Sequence, residues 1–167
     1  TSYIAPVPAI FLGSSEVSVK EMVGAFSIYA NKGVYNAPMM VTKIEDKYGN
    51  VLANFYPESR EVITENTAFL MANLLQGVVD EGTGRRLRFR YGFKNQIGGK
   101  TGTTQNHSDG WVIGITPDLA GGVWVGAEDR SIHFQNLANG QGASMALPIW
   151  ALFMQKVYAD KSLAVPQ

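Results

Sequence analysis

The sequence predicts an α+β fold, and three observations predict it. The 167 residues are 46% hydrophobic and include 18 glycines, which fits a globular α/β or α+β chain with a real core rather than a disordered one. Apolar residues recur at helical spacing in two stretches of the first half and again at the end. Between them run three strand-like segments, the last two joined by the tight turn Thr116-Pro117-Asp118, which makes those two antiparallel neighbours.

The first helix is predicted over Val19 to Asn31. Ser18 can cap it, and Glu21 stands where a capping box needs a carboxylate. Met22, Phe26 and Tyr29 repeat on one face, and Gly33 supplies the stop. Strands over Met39 to Ile44 and Val51 to Phe55 form a hairpin around Asp46-Lys47-Tyr48-Gly49-Asn50. Thr64 caps a second helix, Glu65 to Val79. Its apolar face is Ala68, Met71, Leu75 and Val78, widened by Leu70 and Leu74. Gly82-Thr83-Gly84 ends it, Arg85 to Tyr91 follows as a basic, aromatic stretch, and the run Arg85 to Arg90 reads as a solvated loop. The three strands are placed at Gln96 to Thr103, Gly110 to Thr116 and Gly121 to Ala127. Trp111, Ile113 and Ile115 alternate with Val112 and Gly114, as in a strand covered on both faces. The last helix starts near Ser144 with Pro148 in its first turn, and buries Ile149, Leu152, Phe153 and Val157. Trp111 and Trp124 are expected in the core, and Trp150 against the sheet.

Several function classes are set aside. The formal net charge is zero, so no global field favours nucleic acid, and none is expected as a partner. The absence of cysteine removes disulfides, thiolate zinc ligands and thiol nucleophiles together. His107 and His133 lie far apart without a carboxylate cluster, so neither a metal nor a cofactor is expected. His107, Ser108 and Asp109 are adjacent, but sequence neighbours cannot place three side chains in a relay. No apolar run is long enough to span a bilayer. Thr1-Ser2-Tyr3-Ile4-Ala5-Pro6 has no initiator Met and reads like a linker within something longer, so a missing targeting signal says nothing of location.

The chemistry is concentrated in Gly98-Gly99-Lys100-Thr101-Gly102-Thr103-Thr104. Gly99-Lys100-Thr101 matches the end of a phosphate-binding loop. That motif also needs a glycine where Lys94 stands and a helix directly afterwards, yet Gly102 and strand-like sequence follow. A Lys-Thr-Gly box of serine acyl-transfer enzymes fits better. On an edge strand such a segment offers unpaired backbone groups to an extended peptide. Gly102 permits close approach. Lys100 brings a positive charge to a site that binds a carboxylate and moves a proton. Thr101 and Thr103 add hydroxyls, and a backbone N–H can point at a developing oxyanion.

More of the chain follows one pattern. Asp109-Gly110-Trp111, Gly114-Ile115-Thr116-Pro117 and Val123-Trp124-Val125-Gly126 succeed the box. Leu12-Gly13-Ser14-Ser15-Glu16-Val17-Ser18, Ala30-Asn31-Lys32-Gly33 and Gly82-Thr83-Gly84 precede it. In this order they resemble the C-terminal half of the transpeptidase domain of class A penicillin-binding proteins, over residues 1–160, with 161–167 a tail. The resemblance implies the penicillin-binding protein and serine β-lactamase fold, an antiparallel sheet flanked by helices with the Lys-Thr-Gly strand at its edge. It implies a D,D-transpeptidase that cross-links peptidoglycan stem peptides through a serine acyl-enzyme and is trapped by β-lactams. Lys100 would pair with the serine of a Ser-x-Asn motif, and Thr101 and Thr103 would hold the substrate carboxylate. The N–H of Thr103 would form half of the oxyanion hole, with Gly102 and Thr104 beside the substrate. A membrane anchor, a glycosyltransferase domain and an extracytoplasmic location are implied for the parent protein.

The departures are as informative. The positions three before each lysine are Val17, Tyr29, Met40, Ile44, Tyr91, Ile97, Phe153 and Tyr158, so no Ser-x-x-Lys exists, and no Ser-x-Asn exists either. Nucleophile and general base are therefore outside these residues, and the chain alone is expected to be inactive. Glu65 and Glu81 do not open the Glu-x-x-x-Asn loop of a class A β-lactamase; a β-lactam sensor is the other alternative. The family sheet sets two further strands beside the last one here. A naked apolar edge is therefore expected at Gly121 to Ala127, to be covered by those strands or by another chain.

Overall fold

A computed structural model describes residues 2–165; Thr1, at the head of the expected linker, and residues 166–167 of the expected tail lie outside them. After a 3-10 turn at Pro8–Leu12, helix α1 (Val19–Ala30) begins at the predicted capping box. The Ser18 hydroxyl accepts from the Glu21 N–H at 3.3 Å, and the Glu21 carboxylate accepts from the Ser18 N–H at 2.9 Å. Ser2 donates to the same carboxylate through its N–H and its hydroxyl. These donors, the Ser18 N–H foremost, hold the Glu21 carboxyl down at about 2. Gly33 follows α1 with φ +90, where a Cβ would run into the Ile63 carbonyl, so glycine is required.

Two small ribbons come next. β1 (Val34–Asn36) pairs antiparallel with β4 (Ser59–Glu61), and β2 (Lys43–Glu45) with β3 (Val51–Asn54). The first hairpin strand is shorter than expected, because β3 offers only four residues and the register slips between Ile44 and Glu45. The β1–β4 pair was not foreseen; its three-residue strands carry little alternation to read. Asp46 closes the hairpin turn by accepting from the N–H groups of Tyr48 and Asn50.

Helix α2 (Glu65–Asp80) is capped by Thr64, whose hydroxyl accepts from the Thr67 N–H. Ala68, Leu75 and Val79 are its buried residues. Leu70 and Leu74 do not widen the buried face as expected; they are 62% and 67% exposed. The expected loop after it contains a one-turn helix, α3 (Arg86–Phe89). Arg88 fastens it by pairing with Asp80 at 2.7 Å and donating to the carbonyls of Phe93 and Asn95.

The central sheet is β5 (Gly98–Thr103), β6 (Asp109–Ile115) and β7 (Ala120–Gly126), antiparallel in that order. Gly99 faces Gly114 across the first ladder, and Trp111 faces Trp124 across the second. After α4 (Leu137–Gly140), helix α5 (Gly142–Ala159) lies along one face. Val19 and Val23 of α1 approach Gly122 from the other side, where the Ile113 side chain also lies. Val112 and Ile113 are accordingly both buried, as the alternation implied. A 3-10 turn at Lys161–Leu163 opens the tail.

Two core assignments are corrected. The buried face of α5 is Met145, Leu147, Trp150, Ala151 and Met154, whereas Ile149, Leu152 and Phe153 are exposed and Val157 is only half-buried. The helix is apolar all round, so periodicity could not choose the face. Its start is Gly142 rather than Ser144, which leaves Pro148 inside the helix rather than in its first turn. The sheet chooses the face, because Gly114 leaves the space that the Trp150 ring fills. The Trp150 indole donates to the Gly121 carbonyl at 3.2 Å. Trp111 is half-buried and Trp124 is 40% exposed, so neither is a core residue.

Candidate functional site

Among the described residues β5 is an edge strand, paired with β6 alone. The Thr104 N–H donates to the Asp109 carbonyl at 3.2 Å, so its backbone faces β6. Groups alternate along an antiparallel strand, which turns the backbone of Thr103 and Thr101 to the unpaired flank. Lys100 is exposed there, and its Nζ donates to the Thr101 carbonyl at 2.6 Å. The strand is extended and runs into a short 3-10 turn (Gln105–His107), not a helix. The phosphate-loop geometry is therefore absent.

Each expected side chain has a defined setting. The Thr103 hydroxyl accepts from the Gly142 N–H at 2.9 Å, which leaves its own proton to donate elsewhere. The Thr101 hydroxyl lies 2.6 Å from that of Thr83. Gly102 rests on Trp111, whose side chain a Cβ would meet at 3.2 Å. Thr104 differs from its neighbours. Its hydroxyl accepts from the Asp109 N–H at 3.0 Å and lies 3.1 Å from the Ser108 hydroxyl, so it closes the turn into β6. Lys100, Thr101, Gly102 and Thr103 thus share one strand, while the Thr104 hydroxyl is committed to the turn.

Beside the end of β5 lies a cleft of about 810 Å³, lined by Ser14, Ser15, Thr103, Asp109, Trp111 and Trp124 among others. Asp109 accepts from the Trp124 indole at 3.2 Å through one oxygen, while its other oxygen is buried without a partner. His107 Nδ1 is likewise buried and unpartnered among the described residues. His107, Ser108 and Asp109 thus form no relay. Thr83 and Gly142 were not singled out from sequence as supports of β5. The first sits in a visible glycine turn; the second has no local signal at all.

A helix-flanked antiparallel sheet with Lys-Thr-Gly on its free edge defines the α+β class of penicillin-binding proteins and serine β-lactamases. Residues 10–143 match the penicillin binding protein transpeptidase domain, and the chain belongs to that family. It is 31% identical over 166 residues to penicillin-binding protein 1A of Aquifex aeolicus, covering 98% of this chain and 22% of that protein. It is 32% identical over 162 residues to penicillin-binding protein 2D of Bacillus subtilis, covering 93% and 22%. Among solved structures, penicillin-binding protein 1A of Haemophilus influenzae superposes with a TM-score of 0.83 at 23% identity, over 96% of this chain and 29% of that one. The PonA1 protein of Mycobacterium tuberculosis in complex with penicillin V gives 0.74 at 26%, over 89% and 40%. The resemblance to class A penicillin-binding proteins is borne out, and the chain spans 22% of the length of those two curated relatives.

Proposed function

We propose that this chain is the C-terminal part of a peptidoglycan D,D-transpeptidase domain, spanning residues 1–160. The observation that carries the reading is the free flank of β5, where Lys100 and two threonine hydroxyls stand beside outward-turned amides. A donor stem peptide adds to this flank as an extra strand. Its terminal carboxylate is held by the hydroxyls of Thr101 and Thr103. Lys100 contributes a fixed positive charge and pairs with a serine of a Ser-x-Asn motif supplied from outside these residues. A nucleophilic serine, also from outside, attacks the penultimate D-Ala carbonyl. The Thr103 N–H then meets the oxyanion, a contribution worth roughly 10²–10³ in rate for one such donor. The terminal D-Ala leaves, and the acyl group passes to an amine on a neighbouring stem. A β-lactam enters the same cleft and remains as an acyl-enzyme, in keeping with the penicillin V complex of PonA1. In this reading the parent protein is membrane-anchored, carries a glycosyltransferase domain and faces the periplasm or cell exterior. Among the described residues no helix is long and apolar enough to cross a membrane.

The test is covalent labelling with a fluorescent penicillin. The complete protein is expected to take one label per molecule, and the isolated 167-residue chain none. A complete protein that hydrolyses the antibiotic rapidly would instead be a β-lactamase. One that takes the label but never cross-links stem peptides would be a sensor.

A further inference from the structure

Of the four arginines between residues 85 and 90, Arg86 and Arg88 hold polar partners, whereas Arg85 and Arg90 each lie over an aromatic ring. Arg86 donates to the Ala143 carbonyl at 2.9 Å and the Ser144 hydroxyl at 3.0 Å. Arg88 pairs with Asp80, and Arg90 lies against the Tyr91 ring at 5.9 Å. Arg85 lies over the Phe89 ring at 5.7 Å and has no carboxylate partner among the described residues. It lines a shallow, open cavity of about 400 Å³ on the surface with Thr83, Arg86, Phe89, Gln141 and Ala143, and no Asp or Glu lines it. The cavity meets the Lys-Thr-Gly strand at two points. Thr83 holds the Thr101 hydroxyl, and Ala143 follows Gly142, whose N–H holds the Thr103 hydroxyl.

We infer that this cavity is an acceptor subsite, in which Arg85 binds a carboxylate of the incoming amine-bearing peptide. The inference rests on the transpeptidase reading above. An amine that opens the acyl ester arrives along the path by which the leaving amine departed. The departing D-Ala has its carboxylate at Thr101 and Thr103, so the incoming strand enters on that side. Its continuation past Thr83 runs into the cavity. A guanidinium forms a planar, two-pronged match to a carboxylate, and the Phe89 ring lies beneath it at 5.7 Å. In the transfer step the amine nitrogen attacks the ester carbonyl and a C–N bond forms. The bond to the serine oxygen breaks, and the amine's proton ends on that oxygen. Arg85 touches no reacting atom; it is a positioning residue for the acceptor.

The experiment uses the complete protein, acylated by a peptide thioester donor. Two acceptors are compared, a dipeptide with a free C-terminal carboxylate and the same dipeptide as its carboxamide. The ratio of aminolysis to hydrolysis is read for each. Wild-type protein is expected to favour the carboxylate acceptor. Arg85→Gln is expected to lower aminolysis by that acceptor roughly tenfold or more, as for one lost charged hydrogen bond. The carboxamide should be unaffected, and Arg85→Lys should keep part of the preference. Arg90→Gln, which removes a charge outside the cavity, should alter neither acceptor. Equal losses for both acceptors, or no loss for either, would overturn the inference. Penicillin labelling is read first. A wild type that takes no label overturns the transpeptidase reading itself. A labelled wild type with an indifferent Arg85→Gln overturns the subsite alone. A loss of labelling in Arg85→Gln that Arg85→Lys does not restore assigns the residue to the fold, and the subsite fails.

Discussion

At Thr103 one hydroxyl faces two directions. Its acceptor side is filled by the Gly142 N–H at 2.9 Å, so its proton is free for an anion arriving along β5. A hydrogen bond to a charged group contributes about 1.5–3 kcal/mol. Thr103→Val is therefore expected to slow penicillin acylation of the complete protein roughly tenfold to hundredfold, with Thr103→Ser close to wild type. Acylation kinetics would check this, and a Thr103→Val protein as fast as wild type would remove the hydroxyl from the site. The extended placement of Lys100 to Thr103 was legible, because the residues are contiguous on one strand. Their supports were not. Thr83 is 18 residues from Thr101 and Gly142 is 39 from Thr103, and no local pattern links such pairs.

Helix α1 shows an element whose start the sequence specifies completely. Ser18 and Glu21 form the capping box, and Ser2 adds two more donors to the same carboxylate. The Glu21 carboxyl lies at about 2 in the folded chain against 4.5 ordinarily. A lowered carboxyl stabilises the fold fully above its unfolded value and loses that contribution as pH falls through the folded one. Stability is thus expected to decline between about 4.5 and 2 in a component that Glu21→Gln abolishes. Following the Glu21 carboxyl by NMR titration would check it; a midpoint near the ordinary value would break the argument. Elements with a chemical start signal, such as α1 and α2, were read nearly to the residue. Those whose position depends on a distant surface were not. β1 and β4 exist only because they meet each other, and α5 took its buried face from the glycines of the sheet.

For the whole molecule, the sheet has two unequal margins. β5 presents polar groups to its cleft, whereas β7, paired on one side only among the described residues, carries Val123, Trp124 and Val125. An unpaired apolar strand invites another. The isolated chain is therefore expected to self-associate through β7, as sedimentation against concentration would show. A monomer at every concentration would mean that this margin needs no cover. Helix α5 connects the two margins. It is pinned to the β7 side by the Trp150 indole on Gly121, and its first residue grips Thr103 on β5. It acts as a crossbeam, tying the apolar margin of the sheet to the hydroxyl that lines the cleft.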